Sequence, residues 1–130
     1  MSLIAIIFAA TAGIIHVFFF LMESVFWLNP RVHSIFSVEN LDDAETLRVY
    51  LKNQGYYNLF LALGIFFGIV LTRIHFVAGQ TLVVYVCIVM ISAALVLRHT
   101  MPALALGAYA QGIAPACALM AIFFGLRNTT

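Results

Sequence analysis

The sequence predicts an all-α integral membrane protein, a four-transmembrane-helix bundle with up-down antiparallel topology. Three observations lead there. Of its 130 residues, 65% are hydrophobic and only 8% charged, where a soluble domain has roughly 25% charged. With a mean hydropathy of +1.10, the surface suits lipid rather than water. The apolar residues collect into four runs, each near the ~20 residues that cross hydrocarbon. Finally, the connections at 73–76 and 98–101 are so short that successive helices have to run antiparallel. A net charge of +1 gives no electrostatic case for nucleic acid as a partner. No linker-like segment divides the chain, so a single domain over 1–130 is expected.

Helix 1 is expected over 3–27. It lacks the basic start of a secretory signal and outlasts a signal's apolar core, so it is expected to be retained. Asn29-Pro30 stops it just beyond Trp27, an interfacial residue. The connection 28–41 then leaves the membrane. Helix 2, over 42–72, opens with Asn-Leu-Asp-Asp-Ala-Glu at 40–45. Acidic residues in the first turn, with Arg48 and Lys52 later, complement the helix dipole. A helix of that length exceeds one bilayer thickness, so its first turns stand among headgroups or in water. The acidic cluster reads as a solvated helix start. Helices 3 and 4 are expected over 77–97 and 102–126. Gly64-x-x-x-Gly68 in helix 2 and the many Ala and Gly residues of helix 4 are the small side chains that let helices approach closely in lipid. Pro115 is expected to bend helix 4. Cys87 and Cys117 fall mid-span and read as packing residues.

The side holding the long connection carries Arg31, Arg48, Lys52 and Arg98, against Arg73 and Arg127 opposite. The positive-inside tendency then puts that side in the cytoplasm and both termini outside.

The costliest feature is the stretch 16–31, where His16 and Glu23 interrupt the first apolar run. A charged side chain at mid-helix costs roughly 2.5–3.5 kcal/mol on insertion scales, so Glu23 needs a partner, a proton or water. Counting ~1.5 Å per residue from the loop-side end of each helix assigns every polar residue a depth. Glu23, Asn58 and Ser92 fall in a shallow layer, with Asn53 and Gln54 just above and Tyr57 on the flank of the same helix. His16, Tyr85 and Gln111 form a second layer near the midplane. His16 and Glu23, seven apart, share one face of helix 1, and polar groups in hydrocarbon are expected to face the bundle. The inference is a polar cleft opening at the loop side near Trp27, with Arg31, Arg98 and His99 at its mouth. The plainer alternative is that these groups only hydrogen-bond helix to helix, at about 0.6 kcal/mol per contact.

Several chemistries find little support. His16 and Glu23 stand ~10.5 Å apart along the helix axis, so they do not form a metal centre by themselves. His33, His75 and His99 lie at or beyond span ends, and no histidine pair at matching depth suggests haem. No Ser, Cys or Thr has an evident histidine partner for nucleophilic catalysis. The pattern suits binding of a small or amphipathic ligand, lipid-like or quinone-like, or exchange of a proton between Glu23 and His16. It identifies no cofactor and leaves open whether the protein is an enzyme. Without an internal repeat of the transporter kind, a proton-coupled transporter or channel would need several copies. The alternatives are thus a homo-oligomer and an accessory subunit of a larger membrane complex.

Three segments carry a family resemblance. They are His16, Glu23, Trp27, Pro30 and Arg31 with Phe36 beyond; Asn53-Gln54-Gly55-Tyr56-Tyr57-Asn58; and Gln111-Gly112 followed by Pro115. In these the chain resembles the uncharacterised membrane-protein family catalogued as domain of unknown function 1304. The resemblance implies a four-helix membrane protein and no particular activity; the family is found widely in bacteria, and the expected location is the bacterial inner membrane. After Pro30-Arg31 the family commonly has further basic residues, whereas His33 and Ser34 stand here, which removes support for a basic anion-binding turn.

Overall fold

In hydrocarbon every backbone N–H and C=O has to be satisfied inside its own segment, and an uninterrupted helix does this. The computed structural model, which describes residues 1–127, is built on that solution. Helix α1 (Leu3–Phe20) continues through one wide π-helical turn, Leu21–Val25. A short helix α2 (Pro30–His33) and a 3₁₀ turn (Ser34–Phe36) lie in the connection. Then follow α3 (Leu41–Leu71), α4 (Phe76–Thr100), a 3₁₀ turn (Pro102–Leu104) and α5 (Ala105–Arg127). Among the described residues there is no strand. Four segments are long and apolar enough to cross a membrane: Leu3–Val25, Leu41–Leu71, Phe76–Thr100 and Pro102–Gly125. The molecule is an integral membrane protein of four spans.

The starts of α1, α2 and α3 are set by side-chain caps, which supply acceptors to otherwise unpaired N–H groups. Ser2 Oγ accepts from the Ala5 amide at 3.2 Å. Asn40 Oδ1 accepts from the Asp43 amide at 2.8 Å, while its Nδ2 donates to Asp43 Oδ2. Asn29 caps α2 through the Arg31 amide, with Pro30 in the first turn, where its missing N–H costs nothing. The loop-side end of α4 departs from the sequence reading. Instead of a connection at 98–101, the helix runs on through Arg98, His99 and Thr100. Cations in a last turn complement the helix dipole, and this favours continuing. The reversal into α5 is left to Met101 and the following 3₁₀ turn.

Each long helix packs against two neighbours: α1 against α3 and α5, and α4 against the same pair, so α1 and α4 face each other across the diagonal. The contacts run head to tail. Gly13 meets Phe66 while Glu23 meets Asn58, and Gly68 meets Val83 while Gly64 meets Val86. The far end of the bundle is dry and built from small residues, with Ala5, Ala9, Ala12 and Ala118 around Ile65, Val83 and Cys87. The tightest approach to backbone is at Gly79, where a Cβ would overlap backbone atoms of Thr72, Gly68 and Leu71. Only glycine lets α3 and α4 come that close. Cys87 and Cys117 are both free thiols, the first fully buried.

At the other end the connection folds down as a cap. The Trp27 indole N–H donates to the Ala44 carbonyl at 2.7 Å. Phe36 meets the same indole edge-on, with ring centroids 5.5 Å apart. Ser37 takes the left-handed conformation (φ 63°) that turns the chain back towards α3.

Candidate functional site

The candidate site sits where α1 abandons α-helical geometry. In the turn Leu21–Val25 the Phe26 amide donates to the Leu21 carbonyl, five residues back, at 2.8 Å. Such wide turns insert one extra residue and recur at functional positions. Glu23 and Ser24 lie inside this one. Opposite them stands Gly55 of α3. A Cβ there would overlap Ser24 Oγ and come within 3.1 Å of Glu23 Cβ and 3.2 Å of the Phe20 carbonyl oxygen. The glycine therefore sets how closely the two helices meet at this level.

That approach brings the polar groups into bonding range. Asn58 Nδ2 donates to Glu23 Oε2 at 2.8 Å, and both side chains are nearly sealed, 5% and 6% exposed. The hydrogen bond joins α1 to α3 and gives the carboxyl the partner its depth demands. Ser24 Oγ donates to the Lys52 carbonyl at 2.8 Å, a second bond between the same helices. Beside the pair lies a cavity of about 110 Å³ walled by Glu23, Ser24, Trp27 and Leu28, with Arg48 and Lys52 contributing from α3. It has room for several waters or a small polar group. The arrangement is a carboxyl at one wall and two cations at another. Arg48 also approaches Glu45 at 3.6 Å, but both are more than half exposed, so that pair holds it weakly.

The other residues singled out by the sequence are distributed unevenly. His16 is completely buried, with Nδ1 2.9 Å from the Ala12 carbonyl oxygen. A carbonyl only accepts, so Nδ1 carries the proton and Nε2 faces the core without a hydrogen-bond partner. Phe19 packs edge-on against the ring. His16 shares the buried side of α1 with Glu23 but does not line the cavity. Gln111 is also buried, on α5. Trp27 does wall the cavity, with its indole N–H already committed to Ala44.

Asn53, Gln54 and Tyr57 are exposed, on the outer side of α3. Tyr85 (64% exposed) and Ser92 lie on the outer face of α4, so the expectation that they face the bundle does not hold. Ser92 tolerates this because its hydroxyl donates to the Ile88 carbonyl of its own helix at 2.8 Å. A tyrosine ring is apolar enough to lie against other apolar groups. The mouth also differs from expectation. Arg31 and His99 are exposed away from the cavity, and Arg98 reaches Tyr109 between α4 and α5. The cations beside Glu23 are Arg48 and Lys52 instead. Their signal was present in the sequence: positions 44, 48, 52, 55, 58 and 62 repeat at helical spacing and form one face of α3, directed at α1. Among the described residues, no group of three or more His, Cys, Asp or Glu side chains converges as a metal site.

Fold and site together define a small four-span membrane protein in which a buried acid is bonded to an amide on the neighbouring helix. The chain belongs to the family described as "Protein of unknown function (DUF1304)", whose model matches residues 10–123. That match covers both members of the Glu23–Asn58 pair and the cavity beside them. No curated protein and no solved structure matches the chain.

Proposed function

We propose that the cavity beside Glu23 binds the polar head of a small or amphipathic ligand, lipid-like or quinone-like, entering from the side of the long connection. The observation that carries this reading is the Glu23–Asn58 hydrogen bond, buried at the edge of a cavity that also meets Arg48 and Lys52. Helix-to-helix adhesion alone needs no carboxyl, since an amide would serve without an ionisation penalty. In the bound state Glu23 accepts hydrogen bonds from the ligand, Asn58 fixes the carboxyl's direction, and Arg48 and Lys52 donate to ligand oxygens. Ser24 and Trp27, each held by a backbone carbonyl of α3, keep the walls in place.

The test is native mass spectrometry of the protein extracted gently from its own membrane, comparing wild type with Glu23→Gln. Glutamine preserves the shape and can still accept from Asn58. The expected result is a bound small-molecule mass on wild type and at least a tenfold weaker adduct on the variant, with unchanged helicity. The same adduct on both proteins, or none on wild type, refutes the reading. His16, whose Nε2 is buried without a partner, favours a second reading, proton-coupled flux through a homo-oligomer. In proteoliposomes that reading requires a pH-dependent flux lost with either Glu23→Gln or His16→Phe.

A further inference from the structure

On the opposite side of the bundle, α4 and α5 leave a groove of about 190 Å³ between them. Its floor is made by Ala94, Ala108 and Gly112, which are small enough to leave the space open, and Ile91 closes its inner end. At its loop-side end stands Arg98, in the last turn of α4, with Nε 3.4 Å from the Tyr109 hydroxyl oxygen. That distance is at the long limit of a hydrogen bond, so Tyr109 steadies the guanidinium without occupying it. Among the described residues Arg98 has no carboxylate partner, and the ion pair found there joins Arg48 to Glu45. An apolar trough roughly 10 Å long, from Ile91 to Arg98, thus ends in an unneutralised cation where the span meets the headgroups.

We propose that this groove is a binding site for one anionic phospholipid, with its phosphate on Arg98 and Tyr109 and an acyl chain along the Ala94–Gly112 floor. Charge complementarity selects the occupant. The free guanidinium offers paired donors matched to phosphate oxygens, and the trough below it has the polarity of a lipid tail. A second protein copy would have to bring a carboxylate to Arg98, and its exposed acidic residues lie elsewhere, Glu39 in the long connection and Asp42, Asp43 and Glu45 at the solvated start of α3. The site is separate from the Glu23 cavity and stands whether or not that cavity binds a ligand.

The experiment is native mass spectrometry of purified, delipidated protein titrated with phosphatidylglycerol or with phosphatidylcholine of the same chains. Wild type should bind phosphatidylglycerol preferentially. Arg98→Gln should weaken that binding about fivefold, the contribution of one basic residue at an anionic surface, and abolish the preference. Ala116→Phe, which fills the groove while keeping Arg98, should weaken both lipids alike. Arg73→Gln, at the other end of the bundle, should change neither. A preference unaltered by Arg98→Gln, or binding unaltered by Ala116→Phe, overturns the proposal. So does a dimer that phosphatidylglycerol fails to compete away from this face.

Discussion

The two halves of α1 solve the same problem, helix contact in lipid, by opposite means. Its first half buries Ala5, Ala9, Ala12 and Gly13, and its neighbours close in on a dry, regular helix. Its second half opens into a π-helical turn that holds buried Glu23, bonded across to Asn58, next to a cavity. Small residues give close packing and nothing to react with. Where the chain keeps a carboxyl instead, the backbone widens, a glycine on α3 makes room, and the packing opens. The contrast separates parts of the molecule that serve stability from parts that are costly to it.

Substitutions at the two ends should separate accordingly. The largest loss is expected at the dry end. Gly79→Ala drives a methyl into backbone of α3 that has no rotamer to change, and should cost about 3 kcal/mol or more. Thermal unfolding in detergent should show it as a large fall in Tm, with no folded fraction under harsher detergents. Next comes Asn58→Ala, which strands Glu23 beside the cavity. A cost of about 1–3 kcal/mol is expected, and the double variant with Glu23→Gln should be more stable than Asn58→Ala alone, because the stranded acid has gone. If the double variant is the weaker of the two, the pair is not the stabilising contact described. The smallest effect belongs to Ser24→Ala. It removes one interhelical bond, worth about 0.6 kcal/mol, and should shift Tm slightly while leaving any bound ligand in place.

Much of the fold was legible because it rests on composition and length. Four apolar runs and short connections are enough for four antiparallel spans, and depth counting put Glu23 level with Asn58 before any geometry was known. Facing was much less legible. Helices that are apolar on all sides carry no stripe to say which side is buried, so polarity alone points Tyr85 and Ser92 inward, whereas they lie outward. In the sequence Arg48 and Lys52 read as complements to a helix dipole and as basic residues of the loop side, although their spacing with Gly55 and Asn58 marks the side of α3 that meets α1. The extension of α4 to Thr100 is not legible because basic residues look like the end of a span, and they equally suit the end of a helix.

The wide turn at Leu21–Val25 also changes how α1 has to be counted. One extra residue in a helical turn displaces everything beyond it by about 100° of rotation, so residue spacings measured across it are one step out of phase. Leu3 to Phe20 obeys ordinary helical arithmetic; Glu23 to Val25 do not, and Trp27 lies in the turn beyond, where helical spacing no longer applies. Deleting one residue from the turn is expected to restore α-helical geometry there while swinging the indole off the Ala44 carbonyl. The capped connection would then lose its latch without any change to the residues that form it.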